Sequence, residues 1–343
     1  MQNKIIHDNS IFRNDGKLRE AGYSFKYLLD FNSKKVIGHK SKIKAWDTYL
    51  VQSHNIFIRL TLLEFYSFGV MHYTLLDTNT LEKLSKTRII PKTKGRLNPP
   101  DTPINGSWRH ITPRFLISFT NINNHRELCL DYKRIYKKEE NISLNLHIAK
   151  QDAPSLFLTT ELSKKFTFNY QSKTLGLKTS GYLIQNNEHL FLNENSTFTS
   201  FYWNRCVSDM HKHEFVWTTF TTVLDNKKIF SLSLGYGLGD DSQATENFMV
   251  YDNNPIKLED VSIVPSHKRK KAIDYSGKWR MVDNQHLIDL TFEPFYLENN
   301  SKLLKARMKY HHLYGYFSGT CVIDKETTIE LKNIKGFLTV NKI

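Results

Sequence analysis

Cysteine is scarce in this chain: Cys129, Cys206 and Cys321 are the three among 343 residues. They lie far apart and are odd in number, which excludes a disulfide framework and a Cys-based zinc site. Cys129 and Cys321 sit in apolar runs and read as small hydrophobes. Cys206, close in sequence to His211 and His213, offers a thiolate nucleophile as a minor reading. Long apolar runs are missing as well. No window approaches the roughly 18 continuous apolar residues of a membrane-spanning helix. The opening MQNKIIHDNSIFRNDGK has no apolar core or small-residue cleavage site of the kind a secretory signal carries. These absences predict a cytoplasmic protein. Sustained helical periodicity is rare, and Leu75–Ser85 is the best helical candidate.

Aromatic residues are abundant, with 22 Phe, 17 Tyr and 5 Trp. Apolar residues make up 40% of the chain, enough to fill a core. A compact chain of this length buries roughly 75% of its unfolded surface, and two domains are the ordinary expectation. Short apolar or alternating runs recur, among them Ile56–Leu62, Phe115–Phe119, Ser143–Ile148, Phe215–Val223, Ile229–Leu234 and Phe337–Val340. Turn signals separate them, including Asn-Asn at 123–124, 186–187, 253–254 and 299–300. Many short strands between Asn/Gly/Asp turns predict an all-β sandwich or barrel. The polar stretch Asn193–Thr199 before Trp203 suggests a division into 1–198 and 199–343. The Pro- and Gly-rich segment Lys92–Ser107 reads as a long loop with a surface role.

The formal net charge is +14. The lysines are spread along the chain, and the one dense run is His267-Lys268-Arg269-Lys270-Lys271. No zinc finger, helix-turn-helix or ribonucleoprotein motif accompanies it, so nucleic acid is not the expected partner. The run reads as a solvated inter-strand loop. The rival class is a basic scaffold touching nucleic acid or an anionic membrane surface, with steep salt dependence as its signature.

Three constellations could carry chemistry. The first is Leu234-Gly235-Tyr236-Gly237-Leu238-Gly239-Asp240-Asp241, followed by Thr245-Glu246-Asn247. It is not a phosphate loop or a dinucleotide fingerprint, because it lacks Gly-Lys-Ser/Thr and a βαβ context; no cofactor is expected. Glycines at a strand end mark a bulge or a close backbone approach. Alternatively, Asp240, Asp241 and Glu246 stand at a barrel mouth. A carboxylic acid half-buried among aromatics has a raised pKa and can act as a general acid. The second is the segment from Trp203 to Trp217, with Asp209, His211, His213 and Glu214. A solvated loop, acid–base work by His211 or His213, and a His-x-His metal pair are its three readings; no certain third ligand is present, so no metal is expected. The third is Tyr310-His311-His312-Leu313-Tyr314-Gly315-Tyr316-Phe317, whose Tyr and His side chains suit a mostly apolar pocket with a few polar groups, or simple barrel packing. Trp46 and Trp279 are candidates for plugging barrel ends. No Gly-x-Ser-x-Gly nucleophile elbow is present.

Several blocks taken together resemble the bacterial family known as domain of unknown function 2804. They are Gly16-Lys17-Leu18, Gly22-Tyr23, Lys44-Ala45-Trp46-Asp47, Gly181-Tyr182, Trp217, the glycine block with Glu246-Asn247, Gly277-Lys278-Trp279, Phe292-Glu293-Pro294, Tyr314 to Gly319, and Gly336. The resemblance implies two calycin-like, lipocalin-type antiparallel β-barrels, distantly similar to carotenoid hydratases and paired-barrel cyclases. It implies no reaction. The combined expectation is a protein that binds an apolar small molecule, such as a lipid or isoprenoid, in a barrel cavity. Trp203, Trp217, Tyr236, Asn247, Tyr314 and Tyr316 are the candidate ligand-binding residues. The alternative is a hydratase- or cyclase-type enzyme, with Asp240 or Glu246 as general acid, His213 or His312 assisting, and Trp217 and Tyr314 stabilising a cation.

Overall fold

A computed structural model describes residues 2–38, 40–122, 125–133, 141–149, 153–162, 166–208, 214–237, 239–267, 273–303 and 308–342. The chain forms strands almost throughout. The first half holds β1 (Asn9–Ser10), β2 (Gly22–Ser24), β3 (Leu29–Asp30), β4 (Ile43–Gln52), β5 (Ile56–Glu64), β6 (Phe68–Asp77), β7 (Lys83–Pro91), β8 (Gly106–Thr112), β9 (Phe115–Ile122), β10 (His125–Tyr132), β11 (Ile142–Ala149), β12 (Ser155–Glu161), β13 (Phe168–Gln185), β14 (Glu188–Leu192) and β15 (Phe198–Val207). The second half holds β16 (Glu214–Val223), β17 (Ile229–Tyr236), β18 (Phe248–Tyr251), β19 (Asn254–Lys257), β20 (Val261–Pro265), β21 (Trp279–Asp283), β22 (Ile288–Leu303), β23 (Met308–Val322) and β24 (Thr328–Lys342).

Two large curled antiparallel sheets result, beside a small parallel pair of β1 and β3. The first runs β7-β6-β5-β4-β15-β13-β11-β10-β9-β8, with β12 and β14 also paired to β13 and β2 paired to β12. The second runs β19-β18-β17-β16-β24-β23-β22-β21-β20. The chain is therefore all-β, as its strand-and-turn pattern predicts, with the two calycin-like units that the family resemblance implies. Asparagine turns do the local work. Asn186 and Asn187 both take positive φ (55° and 66°) at the β13–β14 hairpin. That is the primed turn whose twist matches the flanking strands, and Asn tolerates it better than most residues.

The change of sheet falls between Val207 and Glu214. β15 pairs with β4 and with β13, so residues 198–207 lie in the first sheet, whereas a division at 198/199 assigns them to the second unit. The polar stretch Asn193–Thr199 is the hairpin connection from β14 to β15. The helix expected over Leu75–Ser85 is absent. Those residues end β6, turn and begin β7, and Leu75 pairs with Leu84. The Asp77 carboxylate accepts the N–H groups of Asn79 and Thr80 and so closes the turn.

Each curled sheet encloses an apolar core. The first includes Ile58, Leu60, Leu62, Tyr73, Trp108, Leu128 and Trp203. The second includes Phe220, Leu232, Trp279, Leu290 and Phe317. A third layer lies between the convex faces of the sheets, built by Leu50, Phe57, Leu76, Tyr202, Trp217, Tyr314 and Phe337. This layer explains why β15 (FTSFYWNRCV) is buried at all ten positions. Strands covered on both faces lose the apolar–polar alternation that a one-sided strand shows. The expected Lys92–Ser107 loop runs to Asn105, where β8 takes over, and its middle caps the first sheet: Arg205 Nε and Nη2 donate to Pro100 O at 3.0 and 2.7 Å.

Candidate functional site

The inter-sheet layer contains a cavity of about 160 Å³. Its walls come from both sheets because alternate residues on each strand point out of their own barrel. β4 and β5 supply Trp46, Thr48, Arg59, Thr61 and Leu63; β6 supplies Val70 and His72; β15 supplies Tyr202. Opposite them stand Phe215 and Trp217 of β16, Tyr310 and His312 of β23, and Phe337, Thr339 and Asn341 of β24. Trp46, Leu63, Phe215 and Asn341 are half-buried and form the side nearest solvent. A larger hollow of about 760 Å³ opens at one end of the first sheet, between the β6–β7 and β13–β14 hairpins. Its rim carries Asp77, Glu82, Lys83 and Glu188, which suits a hydrated mouth rather than a ligand pocket.

Polar groups converge on the smaller cavity. Arg59 is 4% exposed. Its Nη2 donates to Glu298 Oε2 at 3.3 Å and to Thr74 Oγ1 at 3.2 Å, and lies 3.0 Å from His72 Nε2. Lys83 Nζ takes the other Glu298 oxygen at 3.1 Å. His72 Nδ1 meets Thr87 Oγ1 at 2.8 Å, and His312 Nδ1 meets Thr339 Oγ1 at 2.7 Å. Burial, reinforced by the positive charge of Arg59, pushes the pKa of both histidines well below the ordinary imidazole value. Both are neutral at physiological pH. The Trp217 indole N–H is satisfied by Ser233 Oγ at 2.9 Å, which leaves the ring as wall.

The structure brings together only part of the predicted set. Trp217 and His312 line the cavity. Tyr314 is buried beside it, packed on Phe57 and Phe337 with ring centroids 5.1 and 5.3 Å away. Tyr316 is half-buried against Phe295, and Tyr236 is exposed; neither reaches the cavity. Trp203 points the other way, into the first sheet's core, against Tyr170. His211 and His213 lie outside the described residues, as do Lys268–Lys271. Asp240 is exposed, and its carboxylate caps Ser242 N–H at 2.9 Å, which keeps its pKa below the ordinary value. A general acid needs the opposite shift.

Glu246 is 2% exposed but does not line the cavity. Its Oε2 pairs with Lys173 Nζ at 2.7 Å and accepts from Gln171 Nε2 at 3.1 Å. The Lys173 ammonium also stands over the rings of Tyr202 (5.3 Å) and Trp217 (5.2 Å), the residues that wall the cavity. Asn247 is a staple: its Oδ1 accepts Gly235 N–H at 2.8 Å and its Nδ2 donates to Glu259 O at 3.0 Å. The glycine block serves the same packing. A Cβ on Gly235 would stand 2.0 Å from Glu246 Oε1, and Gly237 takes φ +96° with Glu214 O directly over it. The close-approach reading of that block therefore accounts for its glycines. Cys206 is buried, its thiol pushed up to about 11, which removes it as a nucleophile. Trp46 walls the cavity and Trp279 fills the second core, so only Trp279 resembles the expected plug.

Asp241 is the acidic group of this region with a raised pKa, moved to about 6 by burial first and by the charge of Glu246 second. A folded-state pKa above the unfolded one means that the folded state holds the extra proton between pH ~4 and ~6. The stability from this group is thus full at low pH and lost as pH rises through that window. Asp241→Asn is expected to raise the melting temperature at pH 7.5 and to change it little at pH 4. Calorimetry at the two pH values checks this, and an equal shift at both would show that Asp241 is not the titrating group.

Arg59, His72, Thr61, Tyr202 and Thr339 were not legible as site residues. The available signal was Arg59 alone, a lone cation in the otherwise apolar run Ile56-Phe57-Ile58-Arg59-Leu60.

The sequence profile of the family "Domain of unknown function (DUF2804)" matches residues 2–342. The chain belongs to the DUF2804 family. No curated protein matches it in sequence. Among solved structures, this DUF2804 protein is similar to CghA with Sch210972, at 7% identity and a TM-score of 0.58, over 100% of this chain and 97% of that one. A candidate AttH from Nitrosomonas europaea follows at 11% identity and a TM-score of 0.53, over 88% and 93%. Kievitone hydratase from Nectria haematococca gives 10% identity and a TM-score of 0.49 over 88% of each chain. Identities this low establish the shared paired-sheet fold and nothing about chemistry. No helix among the described residues is long and apolar enough to cross a membrane.

Proposed function

We propose that this protein binds a small, largely apolar molecule in the cavity between its two sheets. The observation that carries the reading is the cavity's composition: Trp46, Tyr202, Phe215, Trp217 and Phe337 supply aromatic wall, while Arg59, His72, His312 and three threonines supply a few convergent polar groups. Ligand sites have this mixture, and they favour interfaces between units. Its volume of about 160 Å³ suits a molecule of one to two rings, or the buried part of a longer one. An apolar cavity of about 150 Å³ takes up benzene. Trp46 and Trp217 give the site its own reporter.

Titration with naphthalene is expected to quench tryptophan emission saturably. Val70→Phe, which places a ring into the cavity, is expected to weaken that binding at least about tenfold while leaving the fold intact. Native mass spectrometry of the protein from its own host is expected to show a co-purifying apolar molecule. Unsaturable quenching, identical in the Val70→Phe variant, together with a clean apo mass, would sink the reading.

The hydratase- or cyclase-type alternative has less support, because no carboxylate lines the cavity among the described residues. Its remaining assets are two neutral imidazoles and one guanidinium facing the same space. The basic-scaffold alternative rests on the 268–271 run and the net charge alone. A cytoplasmic setting stays part of the proposal.

A further inference from the structure

The first sheet ends in two edge strands, β7 and β8, each paired on one side only. A hollow of about 380 Å³ lies between them, lined among others by Ile90, Lys92, Arg96, Leu97, Arg109 and Ile111. Residues 86–114 carry seven lysines and arginines against one carboxylate, Asp101, which the N–H and hydroxyl of Ser33 hold at 3.0 Å. All seven cations are exposed, and none forms an ion pair among the described residues. Cations on a sheet edge ordinarily guard it against strand pairing. Guarding does not account for the apolar side chains set among them: Ile89 is 42% exposed and Ile111 57%. Trp108, the one Trp, Tyr or Phe within 86–114, is buried in the first core, so this surface offers no such ring for a nucleic-acid base to stack on.

This surface adjoins the cavity. Ile89 pairs with Val70, and cross-strand partners share a face of the sheet, so Ile89 stands beside a cavity wall. The basic loop is tied to the same place: the Thr93 hydroxyl donates to Glu64 and to Tyr66 O, and Leu97 packs over Gly69. Those residues belong to the β5–β6 hairpin, whose Leu63, Phe65 and Val70 close one end of the cavity. We infer that the end of β7, residues 92–97 and β8 form a docking surface for an anionic lipid bilayer. The lysines and arginines meet the negative headgroups, and Ile89 and Ile111 enter the boundary between headgroups and acyl chains. The bilayer is the phase that holds apolar molecules, so docking there places the cavity beside its supply. The lipid contact stands on this surface alone; the supply of the cavity rests on the proposed function. The surface is separate from the 268–271 run.

The test is co-flotation of the full chain with phosphatidylcholine vesicles, with and without phosphatidylglycerol, at low and high salt. Binding is expected only to the anionic vesicles and to weaken as salt rises. Lys92→Glu, Arg96→Glu and Arg109→Glu together are expected to lower it at least about tenfold; the same three positions changed to Gln carry the test if the charge reversal fails to fold. Ile89→Ser with Ile111→Ser, which leaves the charge unchanged, is expected to lower it at least about threefold. Equal binding to both vesicle types, or binding that the charge variants leave unchanged, overturns the docking surface. A thymidine oligonucleotide or polyglutamate bound as tightly as the vesicles, with the isoleucine variant unaffected, overturns the lipid as occupant. Naphthalene titration separates this inference from the cavity reading. The charge variants are expected to keep naphthalene quenching, and Val70→Phe to keep vesicle binding. Quenching retained without vesicle binding overturns the docking surface alone, and vesicle binding without saturable quenching overturns the cavity reading alone.

Discussion

Lys173→Met is expected to cost about 3–5 kcal/mol of folding stability, because it leaves the Glu246 carboxylate buried without its counter-ion. The pair is 2.7 Å long and each side chain is 2% exposed, so solvent screening does not soften the loss. Burial draws the Lys173 pKa down and Glu246 pushes back, which shows how far the ammonium depends on that one partner. The pair also joins the sheets: Lys173 belongs to β13 of the first, and Glu246 lies just ahead of β18 of the second. Denaturant unfolding followed separately by near-ultraviolet dichroism and by tryptophan emission should therefore show the transition shifted, and the two probes separating as docking weakens. Lys173→Met combined with Glu246→Gln is expected to recover much of the loss, since removing both charges costs less than orphaning one. Glu246→Gln alone should also destabilise; a single variant with unchanged stability would return Glu246 to the list of candidate catalytic acids.

The second large effect is expected from Arg205→Met. Arg205 is 1% exposed, pairs with Asp47 at 2.7 Å and lies between the rings of Trp203 and Trp108, 4.7 and 5.5 Å from their centroids. Its other donors hold Pro100 O and Asn204 O. Losing it orphans Asp47 and detaches the loop that caps the first sheet, at a cost of about 3–5 kcal/mol. The pH dependence identifies the cause. Burial already raises the Asp47 pKa, and Arg205 is the chief group opposing it. Without Arg205 the folded-state pKa rises further above the unfolded one. The folded state then holds a proton that the unfolded state has lost, and stability falls as pH rises through that interval. The deficit of the variant should accordingly be greater at pH 7 than at pH 4, whereas lost packing alone would give the same deficit at both. Limited proteolysis should open new cleavage within residues 92–105.

These expectations place most of the buried charge in structural work. Glu246 has the burial expected of a tuned acid, yet Lys173 neutralises it and the cavity lies on the far side of Tyr202 and Trp217. Arg59 differs because it lines the cavity while its Nη2 is held by Glu298, His72 and Thr74.

Much of the fold was readable in the amino-acid order. Short apolar runs between Asn and Gly turns are satisfied by strands, and Asn186-Asn187 and Asn253 mark tight turns because Asn accepts positive φ, whereas Asn299-Asn300, expected as a turn, lies within β22 paired with His311 and Tyr310. The glycine block declared close backbone approach for the same local reason, an absent Cβ. Leu75–Ser85 went the other way, since its mixture of Leu and Thr fits either period until the β6–β7 partner is present. The cavity could not be read, because it belongs to neither half of the chain. Arg59 and Glu298 are 239 positions apart, and Trp46 faces Thr339 only after two sheets, each curled around its own core, press their convex faces together. Sequence patterning declares which residues leave water. Which of two buried faces a residue occupies, and what stands opposite it, is fixed by sheet packing alone.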